Sequence, residues 1–522
     1  MSSPAHSRPR DIFARTSAVP ASMVFLGFLV RLYLAYFSFL NSDEAQIYFL
    51  SAQPSLALTY KAGSLSAHPP LFYFLLHSWC LVGNSELLLR VPSAIAGMLF
   101  CWIAFRWVQR VADGETALLA LFFFCFTPAL VLLGAEVRQY SLLLLWVAAC
   151  LYFLEVAIQD NSALAMSVFS VSLWLAILTQ YSAWIFCFSV GIYALVRFYY
   201  RRPSTRVIAV WIAGQGIGIA LYVVLGFTQL PWLRKVARVD GIFQTRYSPV
   251  AFLARETFRL FHYLFGQPIV GGATLLFFIV GVIGLFRDTR ADGGFKISQR
   301  QLASLLLLPW ITIWTAGAFC FYPFEGTRHS IVLAIFVIAG ASIGLAQIRV
   351  LSWRNKLLFV AALLIGSYVF SVPLGPHISR RNQDRRLMLD AVDYVRRSAP
   401  RNSVFLVDDQ SSYLFRYYFC RNQPVQFSAV PGEFRDFSCG DYRVAGSRQW
   451  MLTPEKLASE LERGRRVYGL HSHDPVWIFQ AGWNVNREPQ LRAKLDDFHC
   501  SVPASFGANI LLCRVNVYRE RS

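Results

Sequence analysis

Long apolar stretches recur from residue 18 to residue 373, and they limit the fold of this chain more than any other feature. Eleven of them, at about 18–40, 86–107, 116–134, 141–158, 163–179, 181–198, 207–228, 264–286, 301–322, 330–348 and 357–373, read as membrane spans. Crossing the hydrocarbon core takes about 20 mostly apolar residues in a helix. Inside lipid the backbone must satisfy its own hydrogen bonds, which leaves helices or a closed barrel, and runs of this length select helices. Composition agrees: 56% of the 522 residues are hydrophobic and 15% are charged, against about 25% charged in a typical soluble protein. The expected fold class is an α-helical polytopic membrane protein with about 11 transmembrane helices.

The formal net charge is +19. In a soluble chain that excess suggests nucleic acid. Here the basic residues fall between the spans and in the C-terminal third, which fits orientation in an anionic membrane and no nucleic-acid partner. With an N-terminus carrying Arg8, Arg10 and Arg15 in the cytoplasm, the cytoplasmic loops collect Arg106 and Arg110, then Arg197, Arg201, Arg202 and Arg206. They go on to collect Arg287, Arg290, Lys296 and Arg300, and then Arg349, Arg354 and Lys356. The outer side then holds 41–85, 135–140, 229–263, 323–329 and everything after about 374. No small-residue cleavage site follows the stretch after Pro20, which reads as an uncleaved first helix. Two outer segments read as interfacial. "PPLFYFLLHSWCLVG" (69–83) is too short to cross. "FLARETFRLFHYLFG" (252–266) sets Arg255, Arg259 and His262 on one helical face opposite Phe258, Phe261 and Phe265, a pattern that snorkels cations or grips a lipid phosphate.

From Arg380 onward the apolar runs shorten and charges appear throughout. "SVFLVDD" (403–409), "RVYGLHS" (466–472), "VWIFQ" (476–480) and "ILLCRVN" (510–516) read as strands. "RRLMLDAVDYVRRS" reads as a helix, as does "TPEKLASELERG", with Thr453 as N-cap and Gly464 after its end. The domains expected are therefore a transmembrane domain, 1–375, with a first outer loop at 41–85, and an extracytoplasmic α/β domain, 376–522. Cys420, Cys439, Cys500 and Cys513 allow two disulfides in three pairings, and their spacing lacks a zinc signature. Asp408 and Asp409 read as turn residues at a strand end.

The outer face collects ionisable residues that are costly at such depth unless paired or functional. Asp43 and Glu44 follow the first span. His68 opens the first interfacial helix, and Glu136 and Arg138 occupy the turn "GAEVRQYS". Gln180 and Tyr181 sit between two spans, and "YPFEGTRHS" supplies Glu325, Arg328 and His329. Asn41-x-x-Glu44 is a capping-box pattern; alternatively, one of the two acids is a catalytic base where a lipid-borne substrate meets water. Arg31, inside the first span, is expected to pair with a carboxylate or a substrate phosphate. Transfer of a group activated on a lipid phosphate fits this set. A carboxylate takes the proton from the attacking hydroxyl, and arginines meet the charge developing on the leaving phosphate.

The run "DEAQIYFL…HPPLFYFLLHSWCLVGNSELLLRVPSAIAG", with "EVRQYSLLLL" and "GTRHS", resembles the bacterial branch of the GT-C glycosyltransferases. That group includes protein O-mannosyltransferases, lipid A aminoarabinose transferases and rhizobial galacturonosyl transferases. The likeness is strongest over 40–160 and generic in the C-terminal domain. It implies an enzyme of the inner membrane that moves a sugar from a polyprenyl-phosphate donor to an acceptor glycan, lipid or protein on the outer face, inverting the anomeric centre. By the same resemblance Asp43 is the catalytic base, Glu44 its companion, and His68, Arg138, Arg328 and His329 line the site; the clustering at the outer face adds Glu136, Arg255 and Arg259 to the expected substrate-binding set. Related enzymes often carry Arg-Tyr where Arg328-His329 stands. No metal or other cofactor is expected. The rival reading is a transporter or flippase for a lipid-linked sugar, or a non-catalytic partner subunit; no pair of matching halves, common in such carriers, is visible.

Overall fold

The computed structural model describes residues 18–64, 66, 68–228, 248–287, 297–319, 322, 324, 326–371, 384–423, 436–447, 449, 452–471, 474–482, 500–501, 506–507 and 509–515. Arg8, Arg10, Arg15, Arg290, Lys296 and Glu325 lie outside the described residues. The chain divides into two compact units: residues 1–32, 66–72 and 90–372 form the first, and residues 33–65, 73–89 and 373–522 the second.

The chain is an α-helical multi-pass membrane protein, and each of the eleven apolar stretches carries helix. Among the described residues, eight helices are individually long and apolar enough to cross: Ala18–Phe37, Glu86–Val111, Tyr140–Gln159, Ala183–Arg201, Thr205–Thr228, Pro268–Arg287, Gln299–Ala318 and Arg328–Ala346. The third stretch is a pair, Gly114–Phe126 and Pro128–Gly134, bent by 55°. Ala163–Thr179 and Trp353–Val369 have 17 residues each. Small residues set the closest helix approach in the first unit. A Cβ on Gly344 would lie 2.0 Å from the Phe277 carbonyl oxygen, and one on Gly281 2.2 Å from that of Gly340. Only glycine permits backbones this near, and close packing is what holds helices together where lipid is as apolar as leucine.

The 55° bend explains Arg31. Pro128 has no N–H, so the Phe124 carbonyl four residues earlier loses its helical donor, and the bend frees its neighbours as well. Arg31, 1% exposed, donates through Nη2 to the Phe124 carbonyl (3.2 Å) and through Nη1 to those of Cys125 (3.0 Å) and Gly27 (2.9 Å). Tyr368 donates its hydroxyl to the Phe126 carbonyl at 3.0 Å. The expected carboxylate or phosphate partner is thus replaced by a broken helix end. A buried ion pair lies elsewhere in the unit: Arg197 grips Glu155 with Nη2 at 2.7 Å and Nε at 3.2 Å, and Tyr193 donates to the same carboxylate.

The second unit contains a six-stranded sheet, β1 Val404–Val407, β2 Asp436–Cys439, β3 Tyr442–Gly446, β4 Val476–Ala481, β5 Cys500–Ser501 and β6 Ile510–Val515, in the order β2-β3-β1-β4-β6-β5. β3, β1 and β4 run parallel, and the outer pairings are antiparallel. β1 and β4 are buried along their whole length, as parallel strands covered on both faces must be. The helix Pro454–Val467 packs Leu457 and Leu461 against Val404, Leu406, Val476 and Ile478. Phe405, on the alternate side of β1, stacks with Trp477 and meets the ring of Phe415, on the helix Asp409–Cys420, at a tilt of 49°. Of the segment 466–472, expected as a strand, residues 466–471 are the end of Pro454–Val467 and a turn, and Ser472 lies outside the described residues. Gly464 lies inside that helix, Arg465 and Arg466 suit its negative C-terminal end, and Gly469 at φ +63° stops it. Of the three disulfide pairings left open by spacing, the chain uses Cys420–Cys439, and Cys513 is disulfide-bonded too.

Candidate functional site

Asp43 and Glu44 belong to the second unit, on the short helix Ser42–Ser51. Asn41 starts that helix because its side chain accepts from the Glu44 N–H at 2.9 Å, while Glu44 reaches back to accept from the Asn41 N–H at 2.9 Å. The capping box therefore exists and occupies Glu44, which is fully buried, whereas Asp43 is 7% exposed. The helix is held by an aromatic pillar within the same unit. The helix Asp409–Cys420 offers Tyr418, whose hydroxyl accepts from the Leu40 N–H at 3.0 Å, and Tyr417, whose ring meets Tyr48 edge-on at 5.4 Å. The Tyr417 hydroxyl also donates to the Asn84 carbonyl at 2.7 Å, and Tyr418 donates to Glu86. Asp408, read from sequence as a turn residue at a strand end, is the N-cap of Asp409–Cys420: it accepts from the Ser411 N–H at 2.8 Å and from Gln480 Nε2 at 2.9 Å.

The first unit brings together five segments distant in sequence. His68, Glu136, Arg138, Gln180 and Arg328 converge, with Tyr140 and Tyr263 added by the fold. Ser93 Oγ donates to the Arg138 carbonyl at 3.0 Å, and Gln139 Nε2 donates to Gln180 Oε1 at 2.9 Å, which fixes the turn against its neighbours. Burial, and then the Arg328 charge, push the His68 pKa down to about 4, so its imidazole is neutral at physiological pH. The same two causes, in the same order, lower Arg138 to about 9, still high enough to keep the guanidinium charged. Burial and the Glu136 carboxylate raise the Tyr263 pKa and keep its phenol protonated.

The loop that carries Arg328 and His329 is pinned from below. Glu256, 4% exposed, accepts from the Gly326 N–H at 3.0 Å and from Arg259 Nη1 at 3.0 and 3.2 Å. Gly326 is required there, since a Cβ would lie 2.3 Å from that of Arg259. Thr327 then caps the two-turn 3-10 helix Arg328–Leu333, and Tyr322 donates to the His329 carbonyl at 2.8 Å. Arg255, exposed, approaches Glu256 at 3.7 Å. The expected stripe thus becomes two different things. Arg259 is engaged by a buried carboxylate, and Phe258, expected on the apolar face, is 41% exposed while Leu260, Phe261, Leu264 and Phe265 are buried. Glu256 escaped the sequence reading although it sits between the two arginines that were noticed; a lone acid on a basic helical stripe was the available signal. Among the described residues no group of three or more His, Cys, Asp or Glu side chains gathers in a way that could hold a metal ion.

Residues 67–227 match the family model described as dolichyl-phosphate-mannose-protein mannosyltransferase, which is less than half of the chain. Two structures of ArnT from Cupriavidus metallidurans are similar to it in fold. The apo state has a TM-score of 0.54 at 14% identity, covering 95% of this chain and 98% of that one. The form bound to undecaprenyl phosphate has 0.53 at 13%, covering 96% and 98%. The apo oligosaccharyltransferase of Archaeoglobus fulgidus has 0.49 at 12%, covering 92% and 73%. No curated sequence matches the chain at a comparable level of significance.

Proposed function

On a chain with the GT-C glycosyltransferase fold, we propose transfer of a sugar from a polyprenyl-phosphate donor to an acceptor hydroxyl on the outer face of the cell's inner membrane. The observation that supports it most is the cluster at Arg138 and Arg328. Buried Arg138 and half-buried Arg328 lie within electrostatic reach of one another and concentrate positive charge in one place. Such a pair suits a lipid phosphate, and ArnT, whose fold this chain shares, has been seen with undecaprenyl phosphate.

In this reading the acceptor oxygen attacks the anomeric carbon while the bond from that carbon to the phosphate oxygen breaks. The displacement is single and inverts the centre. Asp43 takes the acceptor's proton, and polyprenyl phosphate leaves with the bonding electrons. Arg138 and Arg328 meet the charge that develops on the phosphate. His68, neutral, serves as a hydrogen-bonding wall. Glu44 holds the helix that presents Asp43; Glu136, Arg255 and His329 complete the substrate-contacting set, and Arg259 acts by holding the Arg328 loop. The second unit lies outside the cytoplasm.

The test is mass spectrometry of polyprenyl-phosphate sugars and surface glycans in cells with the wild-type chain, without it, and with Asp43→Asn at equal protein level. Loss of one surface sugar and accumulation of its lipid-linked donor in both defective strains is the expected result. An Asp43→Asn strain indistinguishable from wild type, beside a defective deletion, sinks the assignment and favours a carrier of lipid-linked sugar.

A further inference from the structure

A cavity of about 560 Å³ opens in the second unit, walled by the helices Arg385–Ser398 and Asp409–Cys420. Its volume falls within the roughly 300–1,000 Å³ of small-molecule sites. Three arginines, Arg385, Arg396 and Arg421, and two carboxylates, Glu86 and Asp393, stand on its wall, above Leu389 and Val392. Arg385 is committed to Glu86. The other two cations are loosely held. Arg396 is 3.9 Å from Asp393 and 3.5 Å from the Tyr418 carbonyl, with its side chain 57% exposed; Arg421 lies over the Tyr417 ring at 5.5 Å. Loosely held guanidinium groups beside an open cavity suit a carboxylate or phosphate, which each can grip with two parallel hydrogen bonds. A bare anion leaves most of the space unfilled and meets the Asp393 carboxylate, whereas a sugar hydroxyl donates to that carboxylate; Glu86 is already engaged by Arg385 and Tyr418. Chemistry of both kinds in one cavity describes a sugar that carries an acidic group.

The cavity also connects to the helix of Asp43. Glu86 accepts from the Tyr418 hydroxyl, which accepts from the Leu40 N–H, and the next residue, Asn41, caps Ser42–Ser51. We propose that this cavity binds an anionic saccharide, and that such a sugar unit is part of the acceptor. The second half rests on the transfer reading above; the first does not.

The test uses the full-length chain in detergent, titrated calorimetrically with a glucuronate-containing disaccharide, with maltose as the uncharged control and with inorganic phosphate. Two variants, Arg396→Gln/Arg421→Gln and Leu389→Trp, are first checked for wild-type melting; one removes charge and the other fills space, so failure of either to fold leaves the other. The acidic disaccharide is expected to bind at least about ten-fold more tightly than maltose or phosphate, with affinity falling as salt rises, and each variant to weaken it about ten-fold or more. Equal binding of maltose, equal binding of phosphate, indifference to both variants, or no binding overturns the proposal. Acidic-sugar binding that persists in a chain whose Asp43→Asn form works normally in cells leaves the cavity standing and removes the transfer reading.

Discussion

Glu256→Gln isolates what a buried carboxylate does for the loop that carries Arg328. In the wild type its two oxygens accept from Arg259 Nη1 and from the Gly326 N–H. Glutamine keeps one acceptor and turns the other into a donor, which then faces either a guanidinium or a backbone N–H. One charge-assisted bond is lost and one donor meets a donor; at about 1.5–3 kcal/mol for a bond to a charged group, the cost is roughly 3 kcal/mol. The 3–5 kcal/mol typical of a fully buried broken pair is too high here, because the Arg259 side chain is 33% exposed and water recovers part of the loss. For a unit of about 320 residues the cost corresponds to a melting temperature lower by about 4 °C. The assay is thermal unfolding in detergent followed by intrinsic tryptophan fluorescence. Arg259→Gln alone is expected to cost a similar amount, and the double variant no more than about 1 kcal/mol beyond either single change, because the two groups act together. Losses that add in the double variant, or a Glu256→Gln chain that melts with the wild type, refute the pinning. On the proposed function, Glu256→Gln also slows transfer while leaving Arg328 in place.

Two further outcomes follow from buried groups. Burial raises the Asp408 and Asp409 carboxyls to about 6 from an ordinary 3.8, so the folded second unit favours their neutral forms. That contribution is fully present below the unfolded value and is lost as pH rises through about 6, so the unit is expected to be more stable at pH 5 than at pH 7.5, by roughly 1 kcal/mol per carboxyl. Asp409→Asn should remove its share of this slope in melting curves; an unchanged slope contradicts the assignment. In the first unit, Arg31→Lys replaces a fork that reaches the Phe124 and Cys125 carbonyls with a point charge. One carbonyl of the bent helix is left without its donor at about 1–3 kcal/mol, and a Lys variant that melts like the wild type tells against the fork.

Much of the fold was legible because lipid enforces a long, simple signal: every apolar stretch became helix. The sheet was less so. β2 and β3 carry Asp436, Arg443 and exposed positions on an outer edge, and so lack the apolar alternation that marks a strand. The segment 466–472 looked like a strand because Val467, Tyr468 and Leu470 favour one, but Arg465 and Arg466 fit the end of the helix that precedes them. At the site, residue types could be listed from the sequence, yet their partners could not. Arg31, Arg255 and Arg259 all invited a phosphate; the structure gives Arg31 a broken helix end, gives Arg259 a buried carboxylate, and leaves Arg255 at the surface. A charge written in sequence does not say which oxygen it will meet: Arg31 finds the Phe124 carbonyl 93 positions away, whereas Arg259 finds the carboxylate of Glu256 only three positions back.

The helix of Asp43 is folded against residues made very late. Tyr413, Tyr417 and Tyr418, which support it, leave the ribosome some 370 or more residues after Asp43 itself. At about 5–20 residues per second that interval is on the order of 20–75 s. Throughout it, the first span is in the membrane while the helix that follows it waits for its scaffold. Whatever chemistry Asp43 performs therefore starts only after the chain is almost complete, and a ribosome that stalls before residue 418 yields a membrane-inserted product without an assembled Asp43 helix.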